Sequence, residues 1–207
     1  MHSDSNDKTL ASYNSEYKTY IQNTPQTFVD HYTGMKRWMD ALIAALPENG
    51  KILEIGSATL RDATYFRSQG CRIQCSDGCK SFVDDLKDKG EPAILLNALT
   101  DPIPEGYAAI YLNGVFPHFN ADEAKLFLEK CRKSLPGKGL LAFSAKMGEG
   151  QNWIVEKISS PRFAHYWDYD ELENLLATIG FEVDFKEDGL PADVPDVRWM
   201  TIIARKK

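Results

Sequence analysis

An α/β chain built on a largely parallel sheet, with helices covering both faces, is the fold class this sequence predicts. Three observations predict it. Short apolar runs suited to strands alternate with amphipathic stretches suited to helices over most of the chain. The strand runs, such as 51–55, 108–113 and 140–145, are mainly apolar, as expected of strands buried on both faces. The last two strands, 181–185 and 198–204, have no helical pattern between them, so they pair antiparallel. The 207 residues fit one domain, 1–207, with N-terminal helices in 1–46 and the sheet core in 50–207.

Each element follows from local signals. Residues 1–7 read as a frayed tail. Residues 9–21 suit a helix in which Tyr13, Tyr17 and Tyr20 share one face. Thr24 as N-cap and Pro25 at the first helical position start a second helix. Phe28, Tyr32, Met35, Trp38, Met39, Leu42, Ile43 and Leu46 recur along it at helical spacing, and Pro47 ends it. The first strand, 51–55, stops at Gly56, and a helix over 59–69 ends at Gly70. The second strand covers 71–76 and leads through Asp77-Gly78 into a helix over 80–89. Residues 92–96 and 108–113 read as strands three and four. Asn120 with Glu123 resembles a capping box for a helix over 121–135, and Pro136-Gly137 turns the chain into strand five, 140–145. Asp168 and Glu171 open a last helix whose apolar face is Leu172, Leu175, Leu176 and Ile179, with Gly180 after it.

Composition excludes several functions. A net charge of −6 repels a phosphate backbone, so nucleic acid is not expected as the main partner. No apolar run approaches the roughly 18 residues of a membrane helix, and 1–10 lacks the apolar core of a signal peptide. A cytoplasmic chain with no membrane partner is therefore expected, and its four cysteines suit reduced thiols. Cys71, Cys75 and Cys79 lack the usual metal-ligand spacing. Cys71, Ile73 and Cys75 alternate onto one apolar strand face, so no metal is expected.

In an open α/β sheet a ligand binds beyond the carboxyl ends of the strands. The first two strands end in Glu54-Ile55-Gly56-Ser57-Ala58-Thr59-Leu60-Arg61-Asp62 and in Ser76-Asp77-Gly78. An acidic residue about 20 positions past the first loop is where a ribose diol is gripped. A carboxylate accepts two hydroxyl hydrogens side by side, so Asp77 fits this role, while an Asp-Gly turn is the structural alternative.

These residues carry a resemblance to the class I S-adenosylmethionine-dependent methyltransferases of the small-molecule type. It runs from about Tyr13 to the last strand. It rests on Ile52-Leu53-Glu54-Ile55-Gly56-Ser57-Ala58, on Asp77, on Leu96-Asn97-Ala98 and on Ala109-Ile110-Tyr111-Leu112-Asn113-Gly114-Val115. Leu135-Pro136-Gly137-Lys138-Gly139-Leu140-Leu141 is similar to the family's turn into strand five, and 143–150, 161–163 and 166–167 resemble one small-molecule branch. The resemblance implies a Rossmann-like, doubly wound, seven-stranded sheet in the order 3-2-1-4-5-7-6 with the last strand antiparallel, preceded by extra N-terminal helices. It implies S-adenosyl-L-methionine as cofactor and a small-molecule methyl acceptor. The family's loop usually has three alternating glycines. Here Gly56 stands at the first position and Ala58 and Leu60 at the next two. A left-handed backbone there favours glycine; Leu60 is accommodated if it is already helical.

By the same resemblance, Glu54, Gly56, Ser57, Ala58 and Arg61 would face the methionine half of the cofactor, where a helix N-terminus also suits a carboxylate. Asp77 would hold the ribose, Asn97 and Ala98 the adenine, and Asn113 would lie beside the sulfonium. Tyr13, Tyr17 and Tyr20 would close as a lid, with Tyr13 and Tyr20 on the cofactor, since an aromatic face attracts a cation. Acceptor contacts are expected from His118, Lys146, Arg162 and Tyr166, with His118 or His165 as a candidate base. Methyl transfer needs no base where positioning supplies the acceleration. A binding protein without catalysis is one alternative. A nicotinamide-dependent oxidoreductase is another, and its pyrophosphate needs the glycines this loop lacks. No Asp/Asn-Pro-Pro-aromatic sequence follows strand four and no magnesium-ligand set stands out, which argues against nucleic-acid base methylation and catechol-type metal chemistry.

Overall fold

A computed structural model describes residues 4–27, 33–191 and 198–207. The N-terminal layer is α1 (Asp4–Ser15), α2 (Tyr17–Gln22) and α3 (Thr33–Ala45). The alternating part follows as β1 (Lys51–Ile55), α4 (Arg61–Ser68), β2 (Arg72–Asp77), α5 (Lys80–Asp88), β3 (Ile94–Leu95) and β4 (Ala109–Leu112). After a 3-10 turn at Phe116–His118 come α6 (Ala121–Ser134), β5 (Leu140–Met147), β6 (Gln151–Ile154), β7 (Arg162–Trp167), α7 (Tyr169–Ile179), β8 (Phe181–Pro191) and β9 (Arg198–Lys206).

Strands β3, β2, β1, β4 and β5 run parallel in that order. β9 then pairs antiparallel with β5, and β8 antiparallel with β9. Counting β8 and β9 as the sixth and seventh core strands gives the expected order with the last strand antiparallel. Among the described residues the sheet nevertheless has nine strands, not seven. The extra pair is the β6–β7 hairpin, where β7 joins the end of β5 through only Lys146↔Tyr166 and Met147↔Trp167. β6 is largely exposed and β7 carries Arg162 and His165, so neither shows the apolar alternation that marks a strand.

Alternate residues of the central strands feed opposite faces, as the strand period requires. Ile52, Ala109, Tyr111, Leu140 and Ala142 pack with Trp38, Met39 and Leu42 of α3. Leu53, Ile110, Leu112, Leu141 and Phe143 pack with Phe127, Leu128 and Cys131 of α6 and with Leu172 and Leu176 of α7. Trp38 is fully buried, and its indole N–H donates to the Ile202 carbonyl at 3.1 Å. The predicted capping box is present: Asn120 Oδ1 accepts from Glu123 N–H, and Glu123 Oε2 accepts from Asn120 N–H. Asp168 caps α7, and Gly180 ends it at φ 102°.

The N-terminal layer departs from expectation. Residues 4–7 are not a frayed tail, because α1 already begins at Asp4 and Asn6 is buried. The helix expected over 9–21 breaks at Glu16, which has a non-helical backbone (φ −120°, ψ 25°). Glu16 spends its carboxylate on Ser159 N–H (3.0 Å), the Ser159 hydroxyl (2.8 Å) and Ser160 N–H (2.6 Å). These bonds hold its pKa down at about 2. Thr24 and Pro25 lie in a turn rather than at a helix start, and Gln26 Nε2 donates to the carbonyls of Ile21 and Thr24. Phe28 and Tyr32, placed by pattern on the second helix, lie outside the described residues.

Candidate functional site

The carboxyl ends of β1, β2, β4 and β5 meet the N-terminal layer around two adjoining cavities. The loop after β1 forms their shared edge. Gly56 (φ 83°) is required there, since a Cβ would stand 2.3 Å from Val115 Cγ2. Its N–H and that of Ser57 both donate to the Ser76 carbonyl, locking the loop to β2. Ala58 (φ 37°) and Leu60 (φ 64°) are both left-handed. Leu60 is therefore not already helical; it precedes α4 as its N-cap. A β-carbon in this conformation costs about 1–2 kcal/mol per residue, so the loop keeps a glycine-type backbone without the glycines.

The smaller cavity, about 90 Å³, is lined by Asp77, Gly78, Asn97, Ala98, Phe82 and α1 residues. Asp77 is buried and accepts from Ala58 N–H (3.1 Å) and Cys79 N–H (2.8 Å). Burial raises its pKa to about 6 against those two bonds. Asn97 turns its Oδ1 inward to Leu99 N–H (3.0 Å), which leaves its Nδ2 as the group free of this turn. Helix α1 roofs the cavity. A Cβ on Gly78 would lie 3.1 Å from the Leu10 side chain. Asn14 Oδ1 accepts from Cys79 Sγ–H and Ser81 N–H, both at 3.0 Å. On the other side, Thr9 Oγ1 accepts from Phe163 N–H (3.0 Å) and Ser12 Oγ donates to the Pro161 carbonyl (2.7 Å). Tyr13, Tyr17 and Tyr20 all converge on Phe82, with ring centroids 6.2, 6.2 and 5.5 Å away.

The larger cavity, about 320 Å³, extends from the Gly56 loop to β5, β9 and the β6–β7 hairpin. Its floor is a buried polar network. Asp62 accepts from Arg61 Nε (2.7 Å), the Tyr111 hydroxyl (2.8 Å) and Asn113 Nδ2 (2.7 Å). Glu54 accepts from the Ser57 hydroxyl at 2.6 Å. Burial first, then the neighbouring Asp62, push the Glu54 pKa up. Asn113 Oδ1 accepts from Ser144 Oγ (2.8 Å), so both ends of this amide are held by the protein.

The far wall carries Lys146, Glu156, Arg162, Tyr13 and His118. Lys146 Nζ lies 2.6 Å from Glu156 Oε1. Arg162 donates to the Tyr13 hydroxyl (2.9 Å) and to the Glu156 carbonyl. His118 Nδ1 lies 2.6 Å from the Phe163 carbonyl, which only accepts, so Nδ1 carries the hydrogen. Its Nε2 then accepts from the Tyr13 hydroxyl at 2.9 Å. Burial, above all, lowers the His118 pKa to about 4, so the ring is neutral at pH 7.

Fourteen of the fifteen residues expected at the site line one or both cavities; Tyr166 lines neither. Tyr17 and His165 also lie outside them. Sequence reading missed Asp62 as a network centre, Phe82 as the anchor of the tyrosines, and Ser144, Glu156, Trp199 and Thr201 as wall residues. Arg61-Asp62 adjacency was the one available signal; Glu156 and Trp199 arrive through the unpredicted hairpin and the β5–β9 register. Among the described residues no cluster of three His, Cys, Asp or Glu could hold a metal. Cys75 and Cys79 are buried and their thiol pKa values are raised, Cys79 to about 12.

No protein-family model matches the chain, and neither does any curated protein. Solved structures of the same architecture are many. Burkholderia thailandensis 1,6-didemethyltoxoflavin-N1-methyltransferase, with 1,6-didemethyltoxoflavin and S-adenosylhomocysteine bound, aligns over 100% of this chain and 92% of its own. The identity is 17% and the TM-score 0.65. Magnesium protoporphyrin IX methyltransferase from Synechocystis PCC 6803, with bound S-adenosylmethionine, aligns over 100% and 99%, at 12% identity and a TM-score of 0.69. The (4+2)-cyclase SpnF aligns over 76% and 74%, at 14% identity and a TM-score of 0.58. The fold is thus the Rossmann-like fold of the S-adenosylmethionine-dependent methyltransferases. Identities this low speak for fold alone.

Proposed function

We propose that this chain binds S-adenosyl-L-methionine and transfers its methyl group to a small-molecule acceptor. The observation that carries the reading is the juxtaposition of Asp77 and the Gly56 loop. A buried carboxylate, with two N–H groups on it and further lone-pair sites, stands beside a glycine whose Cβ would clash. That arrangement suits a ribose diol and a ligand backbone passing close to the loop. It needs no pyrophosphate cradle, which disfavours a dinucleotide.

The cofactor, when bound, supplies an electrophilic methyl on sulfur. The residues of this chain bind and orient. Asp77 accepts the ribose hydroxyls, and the Asn97 amide and Ala98 meet the adenine. The Gly56–Ala58 backbone, the start of α4 and Arg61 receive the methionine end. Asn113 is a positioning residue, held by Asp62 and Ser144 so that the end of β4 keeps one shape. Tyr13 and Tyr20 line both cavities and exclude water where they join. His118 has its Nε2 occupied by Tyr13, so acceleration rests on in-line positioning rather than on this base.

The test is calorimetry followed by turnover with labelled cofactor. Wild type is expected to bind S-adenosylmethionine in the micromolar range, about −8 kcal/mol. Asp77→Ala should weaken binding by about 1.5–3 kcal/mol. Equal affinities for the two proteins would take Asp77 out of the site. A (4+2)-cyclase shares this fold, so the fold by itself does not imply methyl transfer, and one second reading is cofactor binding without it. A screen of metabolite pools that shows tight binding and no labelled product would select it.

A further inference from the structure

The far wall of the larger cavity contains a charge that the protein does not balance. Arg162 and Lys146 are 4% and 3% exposed, so neither is a surface cation. Lys146 has a counter-ion in Glu156. Arg162 does not: among the described residues no carboxylate lies within ion-pair distance of its guanidinium. Its Nη1 goes to the Tyr13 hydroxyl and its Nη2 to the Glu156 carbonyl, both neutral, and its ring neighbour is Tyr13 at 5.2 Å. Its buried Nε–H has no hydrogen-bond partner. Thr201, 1% exposed and lining the same cavity, also has an unpartnered hydroxyl. Of the other cations lining this space, Arg61 is matched by Asp62, Arg37 pairs with Glu187, and Lys157 stands over the Tyr20 ring. A buried charge is normally paired, because desolvation penalises it otherwise. The remaining walls include Met35, Ile154 and Trp199, which suit an apolar body.

We propose that the methyl acceptor is a carboxylate-bearing molecule with an apolar body, and that Arg162 receives its carboxylate. This rests on the reading of the larger cavity as the acceptor site. The methionine carboxylate of the cofactor offers the same chemistry. Arg162 lines only the larger cavity, and the Gly56 loop already presents Arg61 and the α4 N-terminus to the methionine end.

The experiment uses the full chain saturated with S-adenosylhomocysteine, with benzoate and benzamide as matched probes, read by calorimetry and melting temperature. Benzoate should bind at least about tenfold tighter than benzamide. In Arg162→Gln this preference should vanish while S-adenosylhomocysteine affinity stays within about twofold, which also reports that the variant is folded. Arg162→Lys should keep part of the preference, because charge survives while the fork geometry is lost. Equal binding of the two probes to wild type, or no binding of benzoate, overturns the proposal. So does an Arg162→Gln protein that loses S-adenosylhomocysteine affinity and keeps the benzoate preference, which would assign Arg162 to the cofactor. Failure of S-adenosylhomocysteine to bind wild type would instead sink the cofactor reading. Benzoate against benzamide on the ligand-free protein would then still decide the charge.

Discussion

Asp77 illustrates how one side chain ties chemistry to pH. Burial raises its pKa from 3.8 to about 6 in the free protein, despite the N–H groups of Ala58 and Cys79. A raised folded-state pKa means that this group's stabilising contribution is present below about 3.8 and is lost as pH rises through about 6. Ribose hydroxyls donate to the ionised form, so cofactor and proton compete for the same oxygens. Affinity for S-adenosylmethionine should therefore be flat above about pH 7 and fall toward tenfold per unit below about pH 6. In Asp77→Asn the slope should disappear along with most of the affinity. Calorimetry between about pH 5 and pH 8 checks this, and a wild-type affinity that does not move with pH would exclude Asp77 as the ribose ligand. Gly56 was legible in the sequence because it directly follows the apolar strand β1, and Asp77 because it ends the alternating run of β2 beside the Asp-Gly turn. Asn113 was legible as a position but not as a role, since the partners that consume its amide, Asp62 and Ser144, come from other elements. Glu156 carried no local signal at all.

Among the elements, α1 and α2 are held in place by contacts from distant sequence. Their ties to the start of α5 and to the β6–β7 hairpin run through Asn14, Thr9, Ser12 and Glu16. Their apolar anchor is Phe82, where three tyrosine rings meet. Phe82→Leu keeps most of the volume and removes the ring contacts, so it should cost about 1–2 kcal/mol. Hydrogen exchange should speed up in α1 and α2 and stay unchanged in β4 and β5; a uniform increase would mean that Phe82 supports the sheet rather than the roof. The same distinction explains what was readable. The βα alternation and the capped α6 are written in local periodicity and capping residues. The break at Glu16 is set by Ser159 and Ser160, far along the chain, and helix propensity there is overruled. The β6–β7 hairpin is half exposed and polar, so no strand pattern marks it.

At the scale of the whole molecule, the two cavities lie along the seam between the N-terminal layer and the sheet, with walls from α1 to α5, from β1, β2, β5, β6, β7 and β9, and from the loop after β4. A ligand filling that seam touches most layers at once, so its binding energy adds to the stability of the whole fold rather than to one loop. Linkage sets the size. A ligand at a hundred times its Kd stabilises the folded state by about 2.7 kcal/mol. For a chain of this length that corresponds to a rise of about 5–10 °C in melting temperature. S-adenosylmethionine and S-adenosylhomocysteine share the ribose, adenine and amino-acid contacts, so both should produce the rise in a single transition. A nicotinamide dinucleotide should produce none, because its pyrophosphate would meet the β-carbons of Ala58 and Leu60 where the loop has no second and third glycine. Differential scanning calorimetry with each ligand in turn makes the comparison. A rise with the dinucleotide and none with either sulfur cofactor would replace the methyl-transfer reading by a redox one, on the same fold.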